Sequence, residues 1–574
     1  MDCTIEELYK QFVSKGESIL ADIHEDCLSP SEVNEELLMK ILHDNKDTEY
    51  GRKYGFENIH SVREYCQKVP LSDYDDYKPF IHRMIENGEN NLITAYDVIH
   101  YATTSGSVGV QKIIPMTNES IIGDSLFART IALAQHYLQS SGRELPVGKC
   151  LNMLETESYM VENGMQCSSA SGFVSRRYRN LFSVLMTSPE PVLIPTGGMN
   201  LTYMKARFAL EDPGLVFILS MFLSNIVDMM NYIRSNWEMI VNDIENGTLC
   251  GEVCNEVQRS ALMPYMKKNP ERAAELRAEF SKGLDEPIIP RIWKNMTWIC
   301  SISSGEFSIY INKFKQYAGE DVAIDYLFYG ASEGVFAVST EMNDSHYTPL
   351  LRSCFFEFLP IDAPTGSTDT LLLDQLEEGK EYELIITNLS GFYRYRMRDV
   401  IRIELRKENC PLFSFGYRKG QLGNIAGEKM TVELMNEVIR RFGNEVGCFF
   451  NDYAVYIDKA CDVSRYVILI EPSKTIAVDT DGAYAEIMEH LLCEVNPEYG
   501  ILAGRGNLGR PVVLIQQQQT HALWREMHIF KGVSANQIKP VRVLDHSVKQ
   551  SFFFSLIEEG QTLPIMKTFE NKKQ

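Results

Sequence analysis

The sequence predicts an α/β protein with a large N-terminal α/β domain and a small C-terminal α+β domain. Between about residues 96 and 410, segments rich in β-branched and aromatic residues alternate with segments of helical periodicity, which is typical of a sheet covered by helices. Two glycines flank a polar turn at 415–420, and the alternation restarts beyond this turn. We therefore predict domains at residues 1–417 and 418–574, the second of a size that can fold by itself.

Composition and charge narrow the class of protein. The 574 residues are 44% hydrophobic and 23% charged, which excludes collagen, coiled coil and long disorder as the main architecture. With 56 basic and 78 acidic residues the net charge is −22, which disfavours nucleic acid and anionic membranes as partners. The acidic start resembles no signal peptide, and the 13 cysteines follow no disulfide framework. We expect a cytoplasmic monomer.

The individual elements follow from periodicity. Residues 1 to about 95 are predicted to be mostly helical, and the most apolar stretch, 214–230, is predicted to be a buried helix because polar residues interrupt it. Further predicted helices are 120–138, 203–210, 226–244, 432–442 and 485–495. The predicted strands are 191–195, 324–329, 382–388, 454–458, 465–471 and 511–517.

Two short motifs are interpreted as turns. Residues 504–509 match the dinucleotide pattern G-x-G-x-x-G, but a strand and not a helix follows them. Residues 330–334 match the G-x-S-x-G elbow around Ser332, although β-like VFAVST follows where an elbow needs a helix. A serine hydrolase therefore stays open only as a minor alternative.

A third motif predicts a phosphate-binding loop. The stretch TTSGSVGVQK follows a predicted strand, and its glycines let the backbone approach phosphate oxygens while hydroxyls, free amides and a lysine offer donors and positive charge. A polar hairpin is the alternative interpretation. The candidate residues are Thr104, Ser105, Gly106, Ser107, Gly109 and Lys112.

Two later segments favour a nucleotide site. Tyr329 offers an aromatic face for a base, and Glu333 offers a carboxylate for Mg²⁺. In GFYRYRMRDV, the Asp399 carboxylate suits ribose hydroxyls and the three arginines suit phosphates, although a solvated strand face has similar composition. The arginines are Arg394, Arg396 and Arg398.

In this order, TSGSVGVQKIIP, YGASEG and GFYRYRMRDVI resemble the three nucleotide motifs of the auxin-responsive Gretchen Hagen family of acyl acid amido synthetases. That family is part of the adenylate-forming superfamily, with acyl-CoA synthetases and firefly luciferase. The segment ANQIKPVR resembles the family's C-terminal segment with its lysine, so the resemblance runs from about Leu71 to Arg542. Arg398 departs from it, since the family usually has glycine there.

The resemblance implies a luciferase-like N-terminal adenylation domain, a mobile C-terminal domain, and the cofactors ATP and Mg²⁺. It implies that the first loop cradles phosphates, that Tyr329 lies against adenine and that Glu333 binds Mg²⁺. It also implies that Lys539 acts on the acyl phosphate in the first half-reaction. The other implied nucleotide residues are Gly330, Ala331, Ser332, Asp399 and, at the hinge, Arg418.

The implied reaction has two steps. A carboxylate and ATP form an acyl-adenylate and pyrophosphate, and an amino acid or another amine then attacks the acyl carbon and expels AMP. Neither step needs a side-chain nucleophile, because positioning and charge stabilisation suffice. The apolar stretches 196–224 and 301–307 are expected to line the acyl pocket. The alternatives are a thioester-forming acyl-CoA synthetase and a non-catalytic nucleotide-binding protein.

Overall fold

The computed structural model describes most of the chain as two compact units. Within the described residues, these units comprise residues 4–103 with 112–415, and residues from 416 to 561. The division lies close to the predicted boundary at 417/418, and the mobility of the second unit stays a prediction. The described ranges are 4–103, 112–121, 123–154, 156, 158–195, 198–250, 254–361, 363–364, 366–418, 425–426, 428, 430–461, 463–478, 482–533, 538–544 and 546–561.

The N-terminal segment is helical, as predicted. The first helix begins at Ile5 with a capping box, in which the Thr4 hydroxyl accepts from the Glu7 amide and the Glu7 carboxylate accepts from the Thr4 amide. Its apolar face packs on the helix Gly123–Ser140, where the rings of Phe12 and Phe127 are 5.2 Å apart. The helices here are Ile5–Asp26, Pro30–Asp44, Glu49–Tyr54, Phe56–Asn58 (3-10), Val62–Lys68 and Tyr74–Glu86.

A parallel sheet forms one core of the first unit. Its strands, in spatial order, are Cys150–Asn152, Phe217–Phe222, Trp298–Ile302 and Ala323–Asp325. Between them in the chain run helices whose apolar faces cover the sheet, as expected of parallel strands. These helices are Ala170–Arg177, Arg179–Leu185, Glu190–Leu193, Leu201–Glu211, Leu223–Asn246, Glu256–Leu262, Met263–Tyr265 (3-10), Pro270–Phe280, Ile289–Ile292, Gly305–Tyr310 (3-10) and Ile311–Ala318.

Two element predictions in this region are wrong. The stretch 214–230 is not one helix, because the strand Phe217–Phe222 precedes a helix that begins at Leu223. A continuous apolar run has no period that separates a buried strand from a buried helix. Residues 191–195 were predicted as a strand, but the short helix Glu190–Leu193 forms here with Pro191 in its first turn, a position that proline favours.

Three further sheets of the first unit carry the motifs. The first has the order Ile113–Thr117, Val98–Thr103, Gln166–Ser168, Ser158–Met160, and the second has Thr348–Pro349, Gly334–Val338, Phe328–Ala331. The third has the order Cys354–Pro360, Glu381–Asn388, Tyr395–Lys407, Cys410–Arg418. Short 3-10 helices are Asn118–Ser120 and Leu373–Gln375.

The second unit has one sheet and several helices, as predicted for a small α+β domain. Its strands are ordered Phe450–Asp458, Arg465–Pro472, Val512–Ile515, the first pair antiparallel and the second parallel. Gly504 ends a helix before a turn, so residues 504–509 are no dinucleotide fingerprint. Across the described residues, no helix combines the length and apolarity that crossing a bilayer requires. The helices here are Val432–Val446, Ala483–Val495, Pro497–Gly504, Thr520–Phe530 and Ser547–Ser555.

His100, in the strand that leads to the predicted phosphate loop, makes stability depend on pH. Burial, together with the positive charge of Arg176, lowers the pKa of His100 from 6.5 to about 4. Between pH 6.5 and about 4, His100 is protonated in the unfolded chain but neutral in the folded chain. The free energy of unfolding therefore falls as the pH falls through this range. We expect His100→Asn to flatten this dependence in urea unfolding at several pH values. The same slope in His100→Asn as in wild type contradicts the assignment, and His60→Asn, at an exposed position, is the control.

Candidate active site

A chain of hydrogen bonds joins the three predicted motifs. The ammonium of Lys112, the last residue of the predicted phosphate loop, donates to the hydroxyl of Tyr395 over 3.1 Å. That hydroxyl donates to a carboxylate oxygen of Glu333, also over 3.1 Å. One tyrosine of the third motif therefore connects the end of the first motif to the carboxylate of the second.

The second motif is a tight hairpin between Phe328–Ala331 and Gly334–Val338. A Cβ on Gly330 would lie 2.8 Å from the carbonyl oxygen of Gly334, so only glycine fits this close approach. The Ser332 hydroxyl donates over 3.0 Å to the carbonyl oxygen of Thr103, the last described residue before the predicted phosphate loop. Ser332 thus supports the loop, and its turn joins two strands, which rules out a strand-to-helix nucleophile elbow.

We expect Ser332→Ala to lower adenylation activity only about threefold to tenfold, the loss of one hydrogen bond. Fluorophosphonate labelling is expected to be absent in both wild type and variant, since a hydroxyl bonded to a backbone carbonyl has no general base. Labelling followed by mass spectrometry checks this. Stoichiometric labelling that disappears in Ser332→Ala would support the hydrolase alternative instead.

Tyr329 and Asp399, the predicted base and ribose residues, contact each other. The Tyr329 hydroxyl donates to a carboxylate oxygen of Asp399 over 3.0 Å, and both side chains are 7% exposed. The Tyr329 ring lies among aromatic neighbours with centroids 5.6 to 6.4 Å away. This packing fixes the ring, and the hydroxyl in turn orients the carboxylate. The neighbours are Phe336, Tyr347, Phe413 and Phe415.

Glu333 is held from its backbone as well as from its side chain. It is only 5% exposed, and the Asn388 side-chain amide donates to its carbonyl oxygen over 2.8 Å. Nearby, the Lys112 ammonium lies 5.2 Å from the centroid of the Tyr74 ring and 5.8 Å from that of Tyr395. Burial raises the pKa of Tyr74, which stays protonated and donates to the Ile113 carbonyl. The site therefore places one cation and one anion on either side of the Tyr395 hydroxyl.

Each of the three arginines of the third motif pairs with a carboxylate of the protein, and their predicted role at phosphates stays a prediction. Arg394 pairs with Glu357 at 2.8 Å, and both side chains are 1% exposed. Arg396 makes a two-pronged pair with buried Glu383, over 2.9 and 2.7 Å. Arg398 pairs at the surface with Asp73 over 3.0 Å. The arginine charges are thus matched by carboxylates of the protein, and the strand that carries Tyr395 and Asp399 is anchored by these pairs.

The backbone explains why a glycine is usual at position 398 in the resembling family. Arg398 has φ of +60°, in the left-handed region that glycine adopts without a steric penalty. The arginine keeps this conformation here, with its guanidinium bonded to both oxygens of Asp73. The departure at Arg398 therefore preserves the backbone path between Tyr395 and Asp399.

Several predicted residues are not brought into this site by the described structure. Residues Thr104, Ser105, Gly106, Ser107 and Gly109 lie outside the described residues. Of Arg418 only the backbone is described, at the end of a strand. Lys539 is exposed in the second unit. In the predicted acyl-pocket stretches, the rings of Phe222 and Phe307 stack at 4.4 Å within the core, so these two residues pack against each other.

Sequence reasoning missed three supporting residues. Tyr395 stands in the third motif, and its alternation with Arg396 and Arg398 is the signal that places it on the opposite face of the strand Tyr395–Lys407. Tyr74 and Asn388 gave no usable signal, because each reaches the site from an element distant in sequence.

Models of one protein family match most of the chain. Residues 19–323 match the GH3 family N-terminal domain, 347–418 the GH3 family central domain and 433–548 the GH3 family C-terminal domain. The chain is 27% identical over 558 residues to the indole-3-acetic acid-amido synthetase GH3.8 of Oryza sativa subsp. indica, covering 91% of each chain. It is 26% identical over 472 residues to the jasmonoyl–L-amino acid synthetase GH3.5 of Oryza sativa subsp. japonica, covering 77% of this chain and 80% of the relative.

A solved structure confirms the predicted fold class. The AtGH3.15 acyl acid amido synthetase in complex with 2,4-DB superimposes with a TM-score of 0.82 at 21% identity, covering 95% of this chain and 97% of the other. The resemblance inferred from the three motifs is thereby confirmed along nearly the whole chain, from the N-terminal helices to the segment beyond Lys539. The chain belongs to the GH3 family.

Proposed function

We propose that this protein is an ATP-dependent acyl acid amido synthetase. It adenylates a small carboxylic acid, releases pyrophosphate, and transfers the acyl group to an amino acid or another amine with release of AMP. The observation that carries the proposal is the Lys112–Tyr395–Glu333 chain of hydrogen bonds, because it joins one residue from each of the three predicted motifs. The amido synthetases among the relatives support the same reaction class.

Each motif has a proposed role in binding ATP. The hydroxyls and amides of 104–109 bind phosphates, and Lys112 adds positive charge at the end of this loop. Tyr329 lies against adenine, and Asp399 binds the ribose hydroxyls, oriented by its bond from Tyr329. Arg418 acts at the hinge near the ribose. Lys539 binds the acyl phosphate during the first half-reaction.

Glu333 fits the proposed role of Mg²⁺ ligand. In ATP sites Mg²⁺ typically takes one or two carboxylates, completing its shell with phosphate oxygens and water. The described part of the chain contains no group of three or more His, Cys, Asp or Glu side chains arranged around a metal position, and one oriented carboxylate suffices here. When bound, Mg²⁺ offsets the negative charge of the phosphates. The Tyr395 hydroxyl donates to the Glu333 carboxylate, and the Asn388 amide holds the Glu333 backbone at its carbonyl oxygen.

Catalysis in this site depends on position and charge. The acid's carboxylate is the nucleophile in the first step and the amine is the nucleophile in the second, so the protein needs only to align them. Lys112 and Lys539 stabilise negative charge on the phosphates. Ser332 takes no covalent part, since its hydroxyl supports the backbone at Thr103.

Exchange of labelled pyrophosphate into ATP tests the first half-reaction. The protein is incubated with ATP, Mg²⁺ and a panel of acids that includes indole-3-acetic acid, jasmonic acid and 2,4-DB. We expect exchange that depends on one class of acid, and its absence across the panel would refute the proposal. Amino acids and coenzyme A are then supplied together, and product mass separates an amide from a thioester. ATP binding without AMP formation supports the non-catalytic alternative.

A monomeric state and a cytoplasmic location remain predictions from the sequence. Light scattering after size-exclusion chromatography tests the first, with a mass near the chain's 65.5 kDa expected.

A further inference from the structure

Lys539 lies on a short segment, 538–544, that is attached to the sheet of the second unit. Because Lys539 precedes a proline, its backbone is restricted to extended conformations. The Val455 amide donates to the Arg542 carbonyl, and the Leu544 amide donates to the Val455 carbonyl, each over 2.9 Å. This pairing begins only at Arg542, so Lys539 lies three residues before the point of attachment.

The Arg542 side chain is buried at this point of attachment. Its guanidinium lies 2.5 Å from a carboxylate oxygen of Asp452, with the two side chains 3% and 7% exposed. The same guanidinium nitrogen donates to the Tyr453 carbonyl over 3.0 Å, and the guanidinium carbon lies 4.4 Å from the centroid of the Tyr453 ring. A planar guanidinium can make these contacts together, whereas a lysine ammonium cannot.

Asp452 is itself fixed. Its carboxylate accepts from the Tyr453 amide over 2.9 Å, and His521 Nδ1 lies 3.6 Å from its other oxygen. On the segment, Val541 and Leu544 are buried in the apolar core of this unit. Arg542 therefore joins the segment to a rigid carboxylate, while Lys539 remains exposed.

We propose that Arg542 and Asp452 are positioning residues for Lys539. Their ion pair holds in place the backbone of the segment 538–544 that carries Lys539. The inference rests on the proposed function, in which Lys539 acts in the adenylation step only. A long lysine side chain has many rotamers, and a displaced backbone lowers the fraction that reaches the acyl phosphate. Neither Arg542 nor Asp452 has to touch a substrate for this effect.

Activity of the two half-reactions tests the proposal. We expect Arg542→Gln and Asp452→Asn to lower acid-dependent pyrophosphate exchange about 10- to 100-fold with an unchanged KM for ATP. Arg542→Lys keeps the positive charge and serves as the variant less prone to misfolding. Its rate of pyrophosphate exchange is expected to lie between those of these two variants and that of wild type. Transfer from a synthetic acyl-adenylate of indole-3-acetic acid, or of the most active acid in the panel, should be unchanged. Equal losses in both half-reactions would overturn the proposal.

A double-mutant cycle separates positioning from general damage. Lys539→Ala combined with Arg542→Gln should be no slower than Lys539→Ala alone, and additive losses would overturn the inference. The matched control is Arg465→Gln, because Arg465 pairs with buried Asp458 on the strand that also carries Asp452, away from the segment. A loss in this control equal to that in Arg542→Gln would indicate a structural effect only.

Hydrogen exchange by mass spectrometry tests the same idea without a substrate. In Arg542→Gln the amides of Val455 and Leu544 should exchange faster, while the sheet partners Ile468 and Val513 keep their protection. Unchanged exchange at Leu544 would overturn the inference. An inactive wild-type protein would refute the proposed function. The hydrogen-exchange result would still show whether Arg542 holds the segment 538–544 on the sheet.

Discussion

Glu333→Gln is expected to lower acid-dependent pyrophosphate exchange about 100- to 1000-fold, the scale on which one preorganised electrostatic group contributes to a transition state. The substitution keeps the shape of the side chain and its bond from Tyr395, but it removes the negative charge from a site that is 5% exposed. In the proposed function this buried charge orients Mg²⁺ and the phosphates. Initial rates at saturating ATP and titrated Mg²⁺ measure the effect.

The control for Glu333→Gln is Glu341→Gln. Glu341 is an exposed glutamate just beyond the same hairpin, paired at the surface with Lys407. Glu341→Gln should leave acid-dependent pyrophosphate exchange unchanged. Its free energy of unfolding should stay within about 0.5 kcal/mol of that of wild type. A Glu333→Gln protein with near wild-type exchange would remove Glu333 from the proposed chemistry.

Tyr395→Phe gives a graded comparison with Glu333→Gln. It deletes only the hydroxyl between Lys112 and Glu333, so both charges remain while their shared hydrogen-bond partner is lost. We expect pyrophosphate exchange to fall about tenfold, because two charge-assisted hydrogen bonds are lost while Lys112 and Glu333 both keep their charges. A loss as large as that of Glu333→Gln would instead indicate that the hydroxyl itself contacts the reacting groups.

Arg394→Gln is expected to lower the free energy of unfolding of the first unit by about 3–5 kcal/mol, because it leaves the charge of Glu357 buried without its partner. The guanidinium also donates to the carbonyl oxygens of Cys66 and Val69, over 2.6 and 2.9 Å. The strand that carries Glu357 and the end of the helix Val62–Lys68 therefore lose their common donor. Urea unfolding followed by tryptophan fluorescence measures the loss. Trp524 is the one tryptophan of the second unit, and a Trp524→Phe background confines the signal to the first.

Arg398→Gln is the matched control, since it lies in the same motif. Its ion pair with Asp73 is exposed on both sides, 54% and 41%, and is expected to contribute less than about 1 kcal/mol. Equal effects of the two arginine substitutions would contradict the distinction between a buried and a surface pair. The double change Arg394→Met with Glu357→Leu should recover much of the stability, as apolar replacements of a buried pair often do.

Local patterns predicted the order of elements but not every boundary. The amphipathic helices at 226–244 and 432–442 were visible because their apolar positions repeat at helical spacing, and both lie within the helices Leu223–Asn246 and Val432–Val446. The strand Phe217–Phe222 was predicted as part of a helix, because a continuous apolar stretch has no period that indicates a helix or a strand. Its assignment as a strand depends on parallel partners on both sides, at Cys150–Asn152 and Trp298–Ile302.

The sequence alone identified the family, because glycine, hydroxyl, carboxylate and aromatic residues stand in short motifs whose order resembles that of the family. Only tertiary structure decided which of the charged residues act together. The sequence does not show which residue neutralises a given charge. Glu357, Glu383 and Asp73 pair with the arginines of the third motif from 13 to 325 residues away. The structure therefore assigned those arginines to anchoring the strand, and assigned to Tyr395 the position between Lys112 and Glu333.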